Sequence, residues 1–186
     1  MLMKTMKIIL ALTLVIAMAV LAVSCGQESD VPKGMQQIES EFVDYKFYVP
    51  STWTVDKTSG FLSAYVPDDK SNVSMTTMTA TRAYGDVGEY LDEYLAELKN
   101  TYVGFEYIAA ESLVPTAEKP KTGLTLGGKE AARLVYKIAV GNTVYKYMQV
   151  ITSSGYYIYT LTYTALEEKF DSHIEDVNKI ITEFKF

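Results

Sequence analysis

Three consecutive runs of alternating apolar and polar residues lie near the C-terminus, and this pattern restricts the fold more than any other feature of the chain. The runs are "KEAARLVYKIAV", "TVYKYMQVITS" and "YYIYTLTYTA", between residues 129 and 165. Because successive side chains of a strand point to opposite faces, a period of two predicts β-strands. Gly141-Asn142 and Ser153-Ser154-Gly155 separate the runs as short turns. The three runs therefore predict an antiparallel meander.

Both faces of the predicted meander carry apolar residues. In the first run, Val135 and Ala139 keep one face partly apolar. The other face carries Ala132, Leu134, Tyr136, Ile138 and Val140. A sheet with one face in water does not require this pattern, so we expect both faces to be covered. Further strands are predicted in "FVDYKFYVP", "FLSAYVP", "NVSMTTMTA" and "FEYIAAESLV".

Two segments have the period of an amphipathic helix. The first begins at Asp86, with Glu89 at the spacing of a capping box. Its apolar stripe is Val87, Tyr90, Leu91, Tyr94, Leu95 and Leu98. The second follows Thr164 and Glu167, which have the same spacing, and its stripe is Phe170, Ile174, Val177, Ile181 and Phe184. One helix on each face of the sheet gives an α+β fold, an α/β/α sandwich with a central, mainly antiparallel sheet.

The N-terminus has the layout of an export signal. Lys4 and Lys7 precede an uncharged run from Ile8 to Val23, and small residues close it before Cys25. The run is slightly short for a bilayer span, although a membrane anchor remains an alternative. "AVS" or "AMA" would also suit an ordinary signal peptidase. We expect residues 1–24 to be a signal peptide.

Cys25 is the only cysteine, so it forms no disulfide within the chain and no cysteine cluster for zinc. Its setting in "LAVSCG" resembles the bacterial lipobox, in which the cysteine is diacylated and becomes the first residue of the mature protein. Ala22 departs from that pattern, since leucine is preferred three places before the cysteine. The resemblance implies a palmitate-type lipid anchor on Cys25, and two acyl chains are what stable anchoring requires.

The remaining chain is expected to be a tethered single domain on the extracytoplasmic face of the cell membrane. Residues 25–41 are polar, with Pro and Gly, and are predicted to form the lipidated N-terminus and a flexible tether. Residues 42–186 are predicted to form the domain. Loss of Lys4 and Lys7 takes the formal net charge from −6 to −8. That acidity argues against nucleic acid as a partner.

The order of elements in residues 42–186 resembles the PsbP-like/DcrB-like superfamily. The similar stretches are "YKFYVPSTW", "LGGKEAARLVYK" and the terminal "IITEFKF". This superfamily contains a photosystem accessory protein, a Ran-binding transport factor and many bacterial lipoproteins. The resemblance implies a fold used for scaffolding and binding more than for catalysis, which is an analogy at the level of the fold.

Sequence motifs that could indicate catalysis, phosphate binding or metal binding are weak. "GLTLGGK" (residues 123–129) matches the start of a phosphate-binding loop, but Glu130 replaces the required Ser or Thr and a strand follows, so a glycine turn is predicted. His173 is the only histidine and is predicted to be a half-exposed helical residue. Asp92 and Glu93 are predicted to lie on the solvent-exposed face of the first helix. No metal and no cofactor is expected.

Tyrosine is the one residue type in excess, with 15 in 186 residues. Tyrosine is common at recognition surfaces because it is rigid and amphipathic. Candidates for an aromatic binding patch for a glycan, a peptide or a partner protein are Tyr145, Tyr147, Tyr157, Tyr159 and Tyr163. The alternative is that they fill the spaces between sheet and helices.

The sequence predicts a non-enzymatic lipoprotein that binds or assembles with an envelope protein or a glycan. Two alternatives remain open at this point. One is a secreted hydrolase that uses two carboxylates, which a cleft holding a carboxyl group of raised pKa would favour. The other is a structural envelope protein without a small ligand.

Overall fold

The computed structural model describes residues 30–58, 61–84, 87–111 and 123–186. The predicted signal peptide (residues 1–24), the predicted lipidation site Cys25 and the predicted helix start Asp86 lie outside these ranges. Within them, no helix combines the length and the apolar character that a bilayer crossing requires. Residues 31–186 form one compact unit.

Ten strands are found in the described residues, and their pairings are antiparallel. They are β1 (Met35–Ile38), β2 (Phe47–Pro50), β3 (Thr54–Asp56), β4 (Leu62–Tyr65), β5 (Asn72–Thr79), β6 (Phe105–Glu111), β7 (Thr125–Leu126), β8 (Lys129–Val140), β9 (Thr143–Ser154) and β10 (Tyr157–Leu166). The first two form a separate pair. The other eight form one sheet with the order β3-β4-β5-β10-β9-β8-β6, with β7 paired to β8.

The predicted meander is confirmed as β8, β9 and β10. Val140 pairs with Thr143 across the predicted Gly141-Asn142 turn. Ser154 pairs with Tyr157, so the second turn is Gly155-Tyr156, later than predicted. Gly141 and Gly155 have φ values of +61° and +62°. Two-residue hairpin turns require positive φ, which glycine adopts without steric cost.

Two α-helices complete the described fold: α1 (Val87–Thr101) and α2 (Ile174–Glu183). A 3₁₀ segment, Glu167–His173, precedes α2. The second predicted capping box is wrong, since Thr164 belongs to β10 and no side chain caps the segment. The physical reason is that Thr164 pairs with Tyr147 and Asn72 on its two sides, which keeps it extended.

Alternate residues of the meander belong to different apolar clusters. Val150, Leu161 and Tyr163 cluster with α2 residues Val177 and Ile180. The intervening positions contribute to two further clusters, which contain α1 residues and comprise, among others, Ala132, Ile151, Ile158, Val87 and Leu91 in one and Leu134, Ile138 and Leu98 in the other. The α+β fold class predicted from the sequence is confirmed.

The predicted tether over residues 25–41 is too long at its C-terminal end. Residues 35–38 form β1, which pairs with β2, and Met35 and Ile38 are buried in the core. Gln36 donates a 2.7 Å hydrogen bond from Nε2 to the carbonyl oxygen of Trp53. These contacts make β1 part of the domain, so the predicted domain start at residue 42 is corrected to an earlier position.

Candidate functional site

Two of the five candidate tyrosines are core residues. Tyr163 is fully buried, and its hydroxyl donates a 2.9 Å hydrogen bond to the carbonyl oxygen of Phe170. Burial raises the pKa of Tyr163 to about 12. Tyr159 is also buried, with its ring 4.8 Å from that of Phe186.

The remaining candidates do not complete one patch. Tyr147 is half-buried and stacks on Tyr136 at 5.0 Å, and Tyr145 is also half-buried. Tyr163 pairs with Met148, the neighbour of Tyr147, so the side chains of Tyr147 and Tyr163 point to opposite faces. The prediction of a single five-tyrosine patch is therefore wrong. Tyr157 is 51% exposed and shares a cavity with Tyr159, which is described below.

An open cleft over strands β3, β4 and β5 is the strongest candidate site. Its volume is about 530 Å³. Its lining includes Asp56, Phe61, Ser63, Tyr65, Lys70, Asn72 and Ser74. Two aromatic rings thus face hydroxyl, amide and charged groups. A few converging polar groups beside apolar surface are typical of a small-molecule site.

The floor of the cleft continues a row of side chains that begins under α1. Direct cross-strand partners lie on the same face of a sheet. The row runs through Asp56, Ser63, Ser74, Thr162, Gln149 and Leu134. Leu134 packs against Leu98 of α1, whereas Ser63 and Ser74 line the open cleft. The row therefore changes from a covered apolar end to an open polar end.

The loop of residues 66–71 places a cation at the rim. Nζ of Lys70 lies 4.6 Å from the centroid of the Tyr65 ring. The φ of Lys70 is +63°, a left-handed conformation that a lysine adopts at a cost of about 1–2 kcal/mol. Backbone hydrogen bonds from Val66 N to Ser71 O (2.7 Å) and from Lys70 N to Val66 O (3.0 Å) close the loop.

His173 fixes this loop to the C-terminal segment. Its Nε2 atom shares a 2.9 Å hydrogen bond with Oδ2 of Asp69, and the side chains are only 18% and 16% exposed. Oδ1 of Asp69 accepts a 2.9 Å hydrogen bond from the backbone N–H of Ser71. The Trp53 ring lies 5.9 Å from the His173 ring, edge to face. His173 is partly buried and lies in the 3₁₀ segment, and residues distant in sequence cover part of its ring.

The environment of Asp69 favours its ionised form. Burial alone would raise the pKa of Asp69, but hydrogen bonds from His173 and Ser71 outweigh it and hold the pKa below its ordinary value. Asp69 thus acts as a charged anchor for the loop that carries Lys70.

A second cavity adjoins the cleft at edge strand β3. Its volume is about 510 Å³, and it shares Asp56 and Phe61 with the cleft. Its lining includes Gln36, Gln37, Glu39 and Ser40. Oδ1 of Asp56 accepts hydrogen bonds from the backbone N–H and the hydroxyl of Thr58, at 2.8 and 2.7 Å, which hold its carboxylate at the junction. Together the two cavities provide a polar surface for a ligand that extends beyond the cleft.

The environments of two carboxylates, Asp69 and Glu93, do not suit general acid catalysis. Hydrogen bonds outweigh burial at both groups, so the pKa values of the Asp69 and Glu93 carboxyl groups are lowered. A general acid needs the opposite shift. Hydrogen bonds from Arg82 and Tyr84 lower the pKa of Glu93. In the described ranges, no group of three or more His, Cys, Asp or Glu residues could hold a metal ion.

The glycine-rich stretch forms the predicted glycine turn. β7 and β8 pair as a hairpin around Gly127 and Gly128, with Leu126 opposite Lys129. A phosphate-binding loop would lead into a helix at this point, where strand β8 follows instead.

Comparison with known proteins assigns the fold to a class. No family model matches the sequence, and no curated protein matches it either. Among solved structures, the fold is similar to that of cyanobacterial PsbP (CyanoP) from Synechocystis sp. PCC 6803, with a TM-score of 0.53 and 18% identity, over 87% of this chain and 96% of that one. A protein of unknown function from Pseudomonas aeruginosa, PA94, described as a putative regulator, has a TM-score of 0.51 and 13% identity, over 78% and 92% of the two chains. The chain therefore has a PsbP-like fold, as the sequence resemblance implied.

The sequence did not point to the cleft. Ser63 and Ser74 occupy polar positions in two short alternating runs, and the solvent-exposed face of any sheet has such residues. The only indication in the sequence is that Ser63 and Ser74 occupy positions that could face the same side of two strands predicted to be neighbours.

Proposed function

We propose that this protein is a non-catalytic, lipid-anchored module of the bacterial cell envelope that binds glycan chains in the cleft over β3, β4 and β5. The observation that carries the proposal is the cleft lining, in which Phe61 and Tyr65 lie beside Ser63, Ser74 and Asn72. Sugar rings offer C–H faces to aromatic side chains and hydroxyl groups to polar ones. Phe61 is 60% exposed, and aromatic rings at such positions are common in recognition surfaces.

The adjoining cavity favours a polymer over a monosaccharide. The two cavities meet at Asp56 and Phe61, and amide side chains of Gln36 and Gln37 line the second one. Amides both donate and accept hydrogen bonds, which suits sugar hydroxyl and N-acetyl groups. Lys70 at the rim adds a positive charge for the carboxylates of an acidic glycan.

We also infer that α1 and α2 cover opposite faces of the sheet, which makes the fold an α/β/α sandwich. The support is the alternation by which Ile151 clusters with α1 residues and Val150 with α2 residues. In this arrangement α1 covers the β8-β9-β10 part of its face, and the β3-β4-β5 part stays open as the cleft.

The binding proposal is tested with soluble muropeptides and the full-length protein in a polyoxyethylene detergent, since sugar-based detergents would compete for the cleft. Titration calorimetry should give binding that Tyr65→Ala weakens about fivefold or more. Tyr107→Ala, at the exposed face of edge strand β6, is the matched control and should leave affinity unchanged. Absence of binding by the unaltered protein, or equal loss in both variants, would contradict the proposal.

The anchor is tested separately, by growth with a palmitate analogue. The protein should be labelled and recovered with membranes, and Cys25→Ala should lose both the label and the membrane association. Equal labelling of both proteins would remove Cys25 as the attachment point without affecting the binding proposal.

A further inference from the structure

A second cavity, separate from the glycan cleft, lies between the segment after β1 and the β5-β10 pair. Its volume is about 510 Å³. Its lining is aromatic and acidic, and comprises Glu41, Phe42, Val43, Asp44, Tyr45, Thr77, Tyr157 and Tyr159. We call it the aromatic–acidic cavity. None of these lining residues is basic, although the chain has 17 lysines and arginines.

Three tyrosine rings are set at different angles around this cavity. The rings of Tyr45 and Tyr159 are edge to face, 6.2 Å apart and at 86°. The rings of Tyr157 and Tyr159 are 6.4 Å apart and inclined at 45°. Cross-strand pairing explains part of this arrangement, since Tyr159 lies opposite Thr77. Phe42 is 96% exposed and adds a fourth ring at the open side.

The charge of the cavity is negative. Glu41 and Asp44 line it, and in the described part of the chain neither carboxylate is paired with a basic side chain. Burial is the main reason that the pKa of Tyr159 lies above its ordinary value, and the negative charge of Asp44 adds to the effect. The negative charge of Asp44 therefore acts on the Tyr159 hydroxyl.

We propose that the aromatic–acidic cavity binds an organic cation, either a quaternary ammonium group or a protonated amine that carries no adjacent anion. The faces of aromatic rings carry negative potential and attract cations within about 6 Å, and quaternary ammonium ligands are recognised in this way. Glu41 and Asp44 strengthen that attraction and repel anions. A ring beside the cavity already contacts one cation of the chain. The Phe186 ring, 4.8 Å from that of Tyr159, lies 4.9 Å from Nζ of Lys129.

The test compares choline with its neutral carbon analogue, 3,3-dimethylbutan-1-ol, by calorimetry on the full-length protein in polyoxyethylene detergent. Choline should bind about fivefold or more tightly than the alcohol, because the two molecules differ in charge and hardly in shape. Equal affinities would overturn the proposal, since they would show an apolar cavity without cation recognition. Phosphocholine should bind more weakly than choline, and tighter binding would contradict the role of the carboxylates.

Variants locate the binding in the cavity. Tyr157→Leu and Asp44→Asn should each weaken choline binding about threefold or more, and both side chains are exposed enough to be changed without loss of the fold. Tyr156→Leu is the matched control, since Tyr156 is 55% exposed, adjacent in sequence and not part of the lining. Equal effects of Tyr157→Leu and Tyr156→Leu would overturn the assignment. Muropeptide binding is unaffected in either outcome, so this test is independent of the glycan proposal.

Discussion

Nε2 of His173 lies 2.9 Å from Oδ2 of Asp69, a contact between residues that are 104 positions apart in the chain. Asp69 also accepts a hydrogen bond from the backbone of Ser71, and Lys70 lies between them in sequence. The C-terminal 3₁₀ segment therefore holds the loop that forms one rim of the cleft.

Replacing Asp69 by Asn should destabilise the fold and reduce its sensitivity to acid. Because the pKa of Asp69 is lower in the folded protein than in the unfolded chain, its carboxylate contributes stability above the unfolded value of about 3.9, and this contribution is lost as pH falls through the folded value. We expect Asp69→Asn to lower the free energy of unfolding by about 1–2 kcal/mol at pH 7. The loss of stability between about pH 5 and pH 2 should also be smaller than in the unaltered protein.

Urea unfolding at stepped pH measures both effects. Asp68→Asn is the control, since Asp68 is exposed and adjacent in sequence. An unchanged pH profile in Asp69→Asn would show that the His173 contact does not stabilise the ionised carboxylate.

Tyr163→Phe should cost about 1–2 kcal/mol of unfolding free energy. The change removes the hydroxyl that donates to the Phe170 carbonyl and leaves that oxygen without its partner in a buried site. Tyr157→Phe, on the exposed part of the same strand, should have no measurable effect. Denaturant midpoints that shift equally in the two variants would contradict the assigned hydrogen bond.

Gly127→Ala should destabilise the protein more than Gly128→Ala. Both glycines have positive φ, +57° and +79°, so both changes introduce backbone strain. A Cβ atom at Gly127 would lie 2.6 Å from Cδ2 of Phe186, whereas at Gly128 nothing lies within 4 Å. We expect a difference of about 1 kcal/mol or more in thermal or urea unfolding, and equal losses would mean that the Phe186 ring moves freely aside.

Lys70→Gly should stabilise the fold and weaken muropeptide binding in the cleft. Glycine adopts the φ of +63° without strain, so the free energy of unfolding should rise by about 0.5–1 kcal/mol. The same change removes the cation above the Tyr65 ring, and muropeptide affinity should fall. Lys57→Gly is the control for stability alone, since Lys57 lines the adjoining cavity; its φ is not positive, so the change should destabilise slightly. Higher stability with unchanged affinity would remove Lys70 from the binding site.

The parts of the fold that depend on local pattern were predictable. Strands β8, β9 and β10 alternate over ten or more residues, and α1 keeps its apolar stripe from Val87 to Leu98. β1 was missed because "MQQI" has two apolar residues in a polar stretch, and only pairing with β2 makes it a strand.

The candidate sites were less predictable because they depend on contacts between distant segments. Ser63 and Ser74 form one floor only through the register of β4 with β5. Tyr159 and Tyr163 were candidates because tyrosine is in excess. Composition carries no information on burial, and both side chains are buried in the core.

The pairing of β5 with β10 joins residues 72–79 to residues 157–164, so the centre of the sheet is completed by two strands that are distant in sequence. Without Tyr157–Leu166, β5 has an unpaired edge, and strands β3, β4 and β5 are not joined to β8 and β9 by backbone pairing. Assembly of the sheet therefore depends on contacts between segments far apart in sequence, which form slowly. A variant truncated before Tyr157 is therefore expected to be degraded by proteases, and no smaller folded product should accumulate.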